Sequence, residues 1–223
     1  MCGRASLTVN EQQLELKFGK DFYSEDLEKY LPIQNYNVAP SHQHPVIKAN
    51  ATHFEFLRWG LVPFWAKDIK IGYRMINARI ETLLEKNAYK NAAKSRRCVV
   101  PFDGFYEWMK KDGQKIPHRI TLKDQGLFLI AGLWESWKSP EGEHIESFTL
   151  ITRSPIDRIK HLHDRMPAII IPGEEEAWLD EQISPKEAID NLRPLGDDEL
   201  DFYEVSSEVG NVRNNYPELI EKA

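Results

Sequence analysis

The amino-acid sequence predicts an α+β fold built on a mixed, mostly antiparallel β-sheet with peripheral helices. The prediction depends on two observations: strands follow one another in runs along the chain, and isolated helices interrupt these runs. The 223 residues are enough to bury a full core, and 41% hydrophobic with 29% charged residues is ordinary for a globular protein. We therefore expect residues 1–223 to form a single domain.

Composition excludes several classes of protein. No apolar run is long enough to span a bilayer, and the N-terminus lacks the basic and apolar stretches of a signal peptide. With only Cys2 and Cys98, a disulfide framework is excluded, and the seven histidines show no metal-ligand spacing. The net charge of −6 argues against a broadly basic surface for duplex DNA but leaves a local basic groove open. We expect a cytoplasmic protein with no metal, no cofactor and no membrane partner.

The N-terminal part of the chain predicts a strand followed by a capped helix. Residues 5–9 alternate as a short strand. Asn10 and Gln13 then form the pattern of a capping box, which opens a helix that Gly19 ends. The polar segment that follows, up to residue 32, is predicted to be a loop.

The rest of the chain predicts most of the sheet. Further strands or extended segments are predicted at 36–40, 46–49, 53–59, 76–82, 98–101, 105–109, 116–122, 127–134, 145–152, 168–171 and 202–205. Asp112-Gly113 indicates a tight hairpin between two of them. Helices are predicted at 83–93, at 154–162 after the Ser154-Pro155 start, near 173–180, and at 185–192 after Ser184-Pro185.

The first residues carry a reactive group. A small residue after Met1 is what a methionine aminopeptidase tolerates, so we expect the mature chain to begin with Cys2 and to carry a free α-amine beside the thiol. The reference pKa of an α-amine is about 7.7–8.0, so a sizeable fraction is neutral and nucleophilic near pH 7. Such a group can form a Schiff base with an aldehyde, after which the thiol closes on the imine carbon to give a thiazolidine. The alternative is that Cys2 is an incidental residue of a frayed terminus.

Other side chains leave two interpretations open at this point. Phe64 and Trp65 precede a loop rich in lysine, a poor place to bury two rings, so a stacking role competes with a role in the core. Glu107 lies among aromatic residues of a predicted strand. It either faces solvent, or it faces inward, where burial would raise its pKa toward values useful for proton transfer. For His163 the default interpretation is a structural role at a helix C-terminus.

A series of short motifs gives the chain a family resemblance. They are Met1–Arg4, Tyr36–Pro40, Arg58–Leu61, Ile76–Arg79 with Glu81-Thr82, Phe105–Trp108, His163–Pro167 and Val209–Asn211. In their order, and with a cysteine at the very start, they closely resemble the SRAP (SOS response-associated peptidase) family, whose members are abasic-site processing proteins. The resemblance covers nearly the whole chain, and it implies that the sheet curls into a barrel-like core.

The resemblance implies a protein that senses and shields abasic sites in single-stranded DNA and crosslinks to them. An abasic deoxyribose opens to an aldehyde, which is the partner that an aminothiol requires. By the resemblance, Cys2 is the nucleophile and Asn77 holds the reacting sugar or the Cys2 amine. Glu107 is expected to shuttle protons, and His163 to assist ring opening and Schiff-base formation from the opposite side. The expected partner is single-stranded DNA, including its junctions with duplex, bound in the nucleoid by a monomer.

The same resemblance predicts the residues that contact DNA. Arginine suits phosphates because of its forked donors, and Phe64-Trp65 is similar to the family's aromatic wedge, which stacks on a base beside the lesion. Some members carry two tryptophans there, so Phe64 departs from their pattern. The predicted DNA contacts are Arg4, Asn37, Pro40, Phe64, Trp65, Arg79, Thr82, Trp108, Thr152 and Arg165.

Two alternatives belong to other functional classes. An N-terminal-nucleophile cysteine peptidase or amidohydrolase would use the Cys2 thiolate, and Cys2, His163 and Asn77 match a cysteine-protease triad in kind. It would leave the aromatic pair and the arginines without a role. A non-covalent single-strand-binding module would show salt-sensitive affinity and no permanent adduct. We prefer a crosslinking, lyase-type activity and leave autoproteolytic or peptidase activity open.

Overall fold

The computed structural model describes residues 2–223 and arranges them in two β-sheets surrounded by short helices. The strands are β1 (Ala5–Leu7), β2 (Asp21–Phe22), β3 (Asn35–Val38), β4 (Gln43–Lys48), β5 (His53–Trp59), β6 (Asn77–Arg79), β7 (Arg97–Phe102), β8 (Gly104–Lys111), β9 (Gln114–Leu122), β10 (Phe128–Lys138), β11 (His144–Arg153), β12 (Met166–Pro167), β13 (Ile169–Ile170) and β14 (Leu200–Glu204). The α-helices are α1 (Glu11–Phe18), α2 (Ser24–Tyr30), α3 (Ala92–Ser95), α4 (Glu175–Leu179) and α5 (Pro185–Asn191). Short 3-10 helices lie at Ile69–Arg74, Ile80–Thr82, Asp197–Glu199, Ser207–Gly210 and Pro217–Ile220.

The larger sheet closes into a barrel. Its strands run in the order β11-β10-β7-β4-β5 through antiparallel pairs, and β5 then pairs in parallel with β11, which completes the circle. β6 also pairs in parallel with β11. The smaller sheet has the order β14-β9-β8-β1-β3 and is antiparallel. The predicted α+β class with a barrel-like core is confirmed.

Alternation along the barrel strands divides the core in two. On β7, Cys98, Val100 and Phe102 join one buried apolar cluster, whereas Val99 between them joins a second cluster with Leu14 of α1 and Trp178 of α4. This is the period of two that a strand with both faces buried requires. Truncating a fully buried ring such as that of Phe102 to alanine is expected to cost about 3–5 kcal/mol.

Local sequence signals predicted some elements well. Asn10 caps α1 with the predicted capping box, and Gly19 ends that helix in the left-handed conformation with φ 60°. Ser184 caps α5, accepting a hydrogen bond from the Glu187 backbone N–H. The Asp112-Gly113 hairpin joins β8 to β9, with register pairs from Phe105 to Lys111.

Three predictions of local structure were wrong. The segment predicted as a loop up to residue 32 contains β2 and α2. No residue of α2 is buried, and its sequence lacks the apolar stripe by which a helix is predicted. The acidic residues of its first turn do suit the helix dipole. The predicted helix at 83–93 is a series of turns ending in α3. The predicted helix at 154–162 is also replaced by turns, in which the Arg158 backbone N–H donates to Asp197 instead of to the preceding turn.

None of the helices in residues 2–223 combines the length and the hydropathy that crossing a membrane would require.

Candidate active site around Cys2

The N-terminal segment is anchored inside the fold. β1 lies between β8 and β3, and the Tyr106 N–H donates to the Arg4 carbonyl at 2.9 Å, which carries the segment along β8 toward Glu107. Cys2 is completely buried and belongs to the apolar cluster of the barrel. Its carbonyl accepts a 2.6 Å hydrogen bond from Asn77 Nδ2. Cys2 is therefore fixed by packing and by a hydrogen bond, and the frayed-terminus alternative is wrong.

Asn77 reaches Cys2 from the barrel. β6 carries it, paired with Leu150 of β11. Its amide nitrogen donates to the Cys2 carbonyl, but its buried Oδ1 has no hydrogen-bond partner among residues 2–223. An unsatisfied buried acceptor costs about 1–3 kcal/mol, so Oδ1 marks a place where a donor would be stabilised.

Glu107 faces inward. Only 4% of the residue is exposed, and burial raises the pKa of its carboxyl to about 7. Its Oε2 lies 4.0 Å from Nε2 of His163, which is half-buried in the loop before β12. Burial lowers the pKa of His163, so a carboxyl that titrates near neutrality lies beside a neutral imidazole.

The hydrogen bonds of His163 identify its tautomer. The Arg165 backbone N–H donates to Nδ1 at 3.0 Å, which requires a lone pair on that nitrogen. Asp164 Oδ1 lies 2.8 Å from the same nitrogen, a contact that would instead require a proton on Nδ1. We favour the first arrangement, because a backbone N–H can only donate, whereas the exposed Asp164 carboxylate is free to turn to water. The ring proton then lies on Nε2, facing Glu107.

The Cys2 thiol is in a different state from that of a catalytic thiolate. Burial, and then the nearby negative charge of Glu107, raise the pKa of the Cys2 thiol well above its usual range. Reactive thiolates are found instead in electropositive, partly exposed surroundings. In this site the sulfur therefore carries its proton at neutral pH.

An open pocket of about 350 Å³ lies beside these groups. It is lined by Glu107, Trp108, Lys110, Lys115, His163 and Gly210. A larger cavity of about 470 Å³ lies between α1 and α4, where neither Glu107 nor His163 reaches it. The smaller pocket is the candidate site, because it holds ionisable groups with shifted pKa values, Glu107 and His163. In the described part of the chain, no cluster of three or more His, Cys, Asp or Glu residues could hold a metal ion.

The predicted aromatic wedge is on the surface. Phe64 is 59% exposed and Trp65 is 50% exposed. Their loop is anchored by the Trp137 indole N–H, which donates to the Ala66 carbonyl at 2.7 Å. Arg79 is also exposed, while Pro40 and Thr82 are partly exposed. These side chains are accessible to a ligand.

Arg4 and Asn37 form the wall between Cys2 and the C-terminal segment. Arg4 Nη1 donates to Asn37 Oδ1 at 2.8 Å, and its guanidinium lies 5.7 Å from the centre of the Trp108 ring. Asn37 is completely buried, and its Nδ2 donates to the carbonyls of Val209, Asn211 and Asn214. Asn37 thereby holds the loop that brings Gly210 to the pocket.

Besides Asn37, two more of the predicted DNA contacts are engaged inside the protein. Arg165 makes a bidentate pair with Glu81, at 2.7 and 2.8 Å, and also donates to the Thr152 carbonyl. Thr152 is 1% exposed. Sequence reasoning missed Glu81 as the partner of Arg165, and no local signal could have revealed a pair 84 residues apart. The four predicted catalytic residues therefore converge, while Asn37, Thr152 and Arg165 face the protein.

Comparisons with known proteins show which family the chain is similar to. The sequence model of the SOS response associated peptidase (SRAP) family matches residues 1–212. The abasic site processing protein YoqW of Bacillus subtilis is 43% identical over 225 residues, covering 99% of each chain. The abasic site processing protein HMCES of Rattus norvegicus is 34% identical over 89% of this chain and 67% of its own length.

The fold is shared as well. A protein from Bacteroides thetaiotaomicron, solved by X-ray crystallography, superimposes with a TM-score of 0.92 at 26% identity, over 100% of both chains. The family match spans most of the residues, and the relatives exceed 30% identity over nearly the full chain. The chain belongs to the SRAP family.

Proposed function

We propose that this protein senses abasic sites in single-stranded DNA and shields them by forming a covalent bond through Cys2. Its relatives YoqW and HMCES are abasic site processing proteins. The observation that carries the proposal is the convergence of Asn77, Glu107 and His163 on a buried cysteine next to an open pocket. The proposal requires that Met1 is removed, so that Cys2 has a free α-amine.

The reaction begins at the amine. The Cys2 nitrogen attacks the aldehyde carbon C1′, and the resulting carbinolamine loses water to give an imine. The Cys2 sulfur then bonds to the imine carbon while the thiol proton moves to the nitrogen, which closes the thiazolidine ring. The adduct has the mass of the protein plus the DNA minus one water. A protonated thiol suits this order of events, since the sulfur reacts second and delivers a proton.

Glu107 and His163 act in opening the sugar. Opening moves a proton from the C1′ hydroxyl to the ring oxygen, and a carboxyl whose pKa is about 7 is present in both forms at neutral pH. The Nε2–H of His163, 4.0 Å from Glu107, provides a second proton carrier. Asn77 Oδ1, the acceptor that lacks a partner in the described structure, receives an N–H of the Cys2 amine and orients its lone pair.

The DNA is held by groups that do not read its sequence. Exposed Phe64 and Trp65 stack on bases near the lesion, and the arginines Arg4 and Arg79 contact phosphates. Base stacking on an aromatic side chain contributes about 1–3 kcal/mol. We expect a monomer that acts on single strands and at their junctions with duplex.

The surroundings of the Cys2 thiol differ from those of a cysteine peptidase. A cysteine peptidase needs a thiolate, which electropositive surroundings stabilise. Glu107 and burial have the opposite effect here, because both raise the pKa of the thiol.

One experiment tests the proposal. The protein is incubated with a single-stranded oligonucleotide that contains one abasic site, denatured, and examined by gel electrophoresis and intact mass. We expect a denaturant-stable species whose mass lacks Met1 and one water. The absence of any such species would overturn the proposal, and cleavage of peptide bonds without a DNA adduct would favour the peptidase.

A further inference from the structure

Two lysines face each other at the rim of the pocket. Lys110 of β8 and Lys115 of β9 are register partners in the hairpin. The turn between them is tight, with φ of 51° at Asp112 and 77° at Gly113, as in the two-residue turns that keep hairpin strands in fixed register. Side chains directly opposite in an antiparallel pair point to the same face, with Cβ atoms about 4.5–5.5 Å apart. The two lysine side chains therefore start from neighbouring positions on one face of the hairpin.

This arrangement does not stabilise the fold. Like charges directly opposite each other in a sheet are destabilising. Both lysines are exposed, and no ion pair within residues 2–223 includes either of them. Among the described residues, β1 pairs with β8 only at Gly104 and Phe105, and β14 pairs with β9 only from His118 to Leu122, so the lysines lie on the part of the hairpin that extends beyond both neighbouring strands. An anion placed between the two lysines would remove the repulsion.

The lysine pair continues a strip of DNA-compatible groups. Both lysines line the pocket of about 350 Å³ together with Glu107 and His163. Trp108 and Lys110 are two residues apart on one strand, so they share a face about 7 Å apart. Positive charges that alternate with an aromatic ring are typical of surfaces that track a single strand.

Arg4 extends this strip on the other side of Trp108, with its guanidinium 5.7 Å from the ring centre. The protein as a whole carries a net charge of −6 and repels a polyanion, so attraction must come from local concentrations of positive charge.

We infer that Lys110 and Lys115 together bind a backbone phosphate of the nucleotide next to the abasic site, where the strand leaves the pocket over the β8–β9 hairpin. The inference rests on the proposed function, because it takes single-stranded DNA as the ligand. The lysines position the strand and do not touch the reacting sugar. Their removal should weaken the binding of single-stranded DNA.

The test measures the salt dependence of binding. The probe is a fluorescent single strand with a tetrahydrofuran residue, which mimics an abasic site but has no aldehyde, so binding is measured without crosslinking. The test variant is Lys110→Ala with Lys115→Ala. The control is Lys123→Ala with Lys138→Ala, which removes the same charge from exposed lysines at the other end of β9 and at the end of β10.

The expected result follows from counterion release. Each phosphate contact on a single strand contributes about 0.7 to the slope of log affinity against log salt, and the two lysines share one phosphate, so together they contribute about 0.7. Between 50 and 200 mM salt, the unmodified protein should then lose about 2.6-fold more affinity than the test variant. The control should retain the full slope, and Lys110→Arg with Lys115→Arg should restore it.

Two outcomes would overturn the inference: a test variant with the slope and affinity of the control, or an arginine pair that fails to restore them. Thermal unfolding accompanies the assay, and we expect no loss of stability because the variant removes a repulsion. Failure of the proposed function gives a different result, namely no adduct between the unmodified protein and a true abasic strand, while the salt slope still reports on the lysines.

Discussion

Cys2 and Cys98 are both completely buried and belong to one apolar cluster, yet the polar groups beside them differ. Around Cys98, apolar side chains fill the barrel, and the Cys98 carbonyl accepts a 2.8 Å hydrogen bond from the Trp178 indole. Around Cys2, Asn77 has a buried oxygen without a partner in the described residues, and burial raises the pKa of Glu107 to about 7. Burial raises the pKa of both thiols, so it does not distinguish them. The polar groups around Cys2 are the signal of function.

The largest difference is expected between two single variants, Cys2→Ala and Cys98→Ala. Cys2→Ala should abolish the denaturant-stable adduct, because an imine cannot close to a thiazolidine without the sulfur. Cys98→Ala should keep the adduct and lose about 1–2 kcal/mol of unfolding free energy through the cavity it leaves. Denaturing gels and urea unfolding measure the two effects. The comparison fails if folded Cys98→Ala loses the adduct, or if Cys2→Ala forms it normally.

The next largest effect is expected from Glu107→Gln. The variant keeps the shape of the side chain but cannot exchange protons, so the rate of adduct formation should fall by about 100-fold or more. Single-turnover crosslinking at saturating DNA measures this rate. Glu135→Gln is a matched control, since Glu135 is similarly buried but pairs with Arg96 at 2.9 Å in the barrel. An unchanged rate in Glu107→Gln would remove Glu107 from the mechanism.

At high pH, Glu107→Gln should be more stable than the unmodified protein. The native Glu107 carboxyl keeps its proton up to about pH 7, whereas an unfolded glutamate loses it near pH 4.3. The native state therefore binds more protons between these values, and stability falls as pH rises through this window. Glu107→Gln should exceed the unmodified protein by about 1–3 kcal/mol at pH 8 and equal it below pH 4. Urea unfolding at several pH values tests the sign, and a loss of stability at pH 8 would contradict it.

Gly132→Ala tests the packing around Cys98 in the barrel. A Cβ on Gly132 would lie 3.0 Å from Cys98 Sγ and 3.0 Å from the Thr149 carbonyl oxygen, which is closer than normal packing allows. We expect a loss of about 1–3 kcal/mol from overpacking, with an unchanged adduct rate per folded molecule. Gly113→Ala is a less informative control, because its positive φ of 77° adds backbone strain. A selective loss of adduct in folded Gly132→Ala would show that the barrel and the site are coupled.

The parts of the fold that sequence reasoning predicted are those that local chemistry determines. The Asn10 capping box and the Asp112-Gly113 turn act over a few residues and appear as expected. The 154–162 helix does not form, and the Arg158 backbone N–H instead donates to Asp197, 39 residues later, a contact that no local signal predicts. The hairpin turn also determines that Lys110 opposes Lys115, so the sequence already held the information for that pair.

The site could be predicted only in part, because its members meet through tertiary structure. Asn77 reaches the Cys2 carbonyl across 75 residues of sequence, and alternation alone could not decide whether Glu107 faces inward. The family resemblance identified these residues, whereas the geometry shows their burial and hydrogen bonds. The engagement of Arg165 with Glu81 could not be foreseen, since both residues are also suited to lie exposed on the surface.

The smallest effect is expected from Glu81→Gln, which removes the charge that pairs with Arg165. In the barrel, Arg97 donates to the backbone carbonyls of Trp178 and Ala93 and is fixed by structure. Arg165 instead pairs with Glu81, which is about half exposed, so a double-mutant cycle should give a coupling of at most about 1 kcal/mol. Because this ion pair is weak, Arg165 can exchange the Glu81 carboxylate for a DNA phosphate. If Arg165 contacts DNA as predicted, Glu81→Gln should raise the affinity for a single strand by about twofold, and Arg165→Ala should cancel that gain. An unchanged affinity, measured by fluorescence anisotropy, would leave Arg165 with a structural role like that of Arg97.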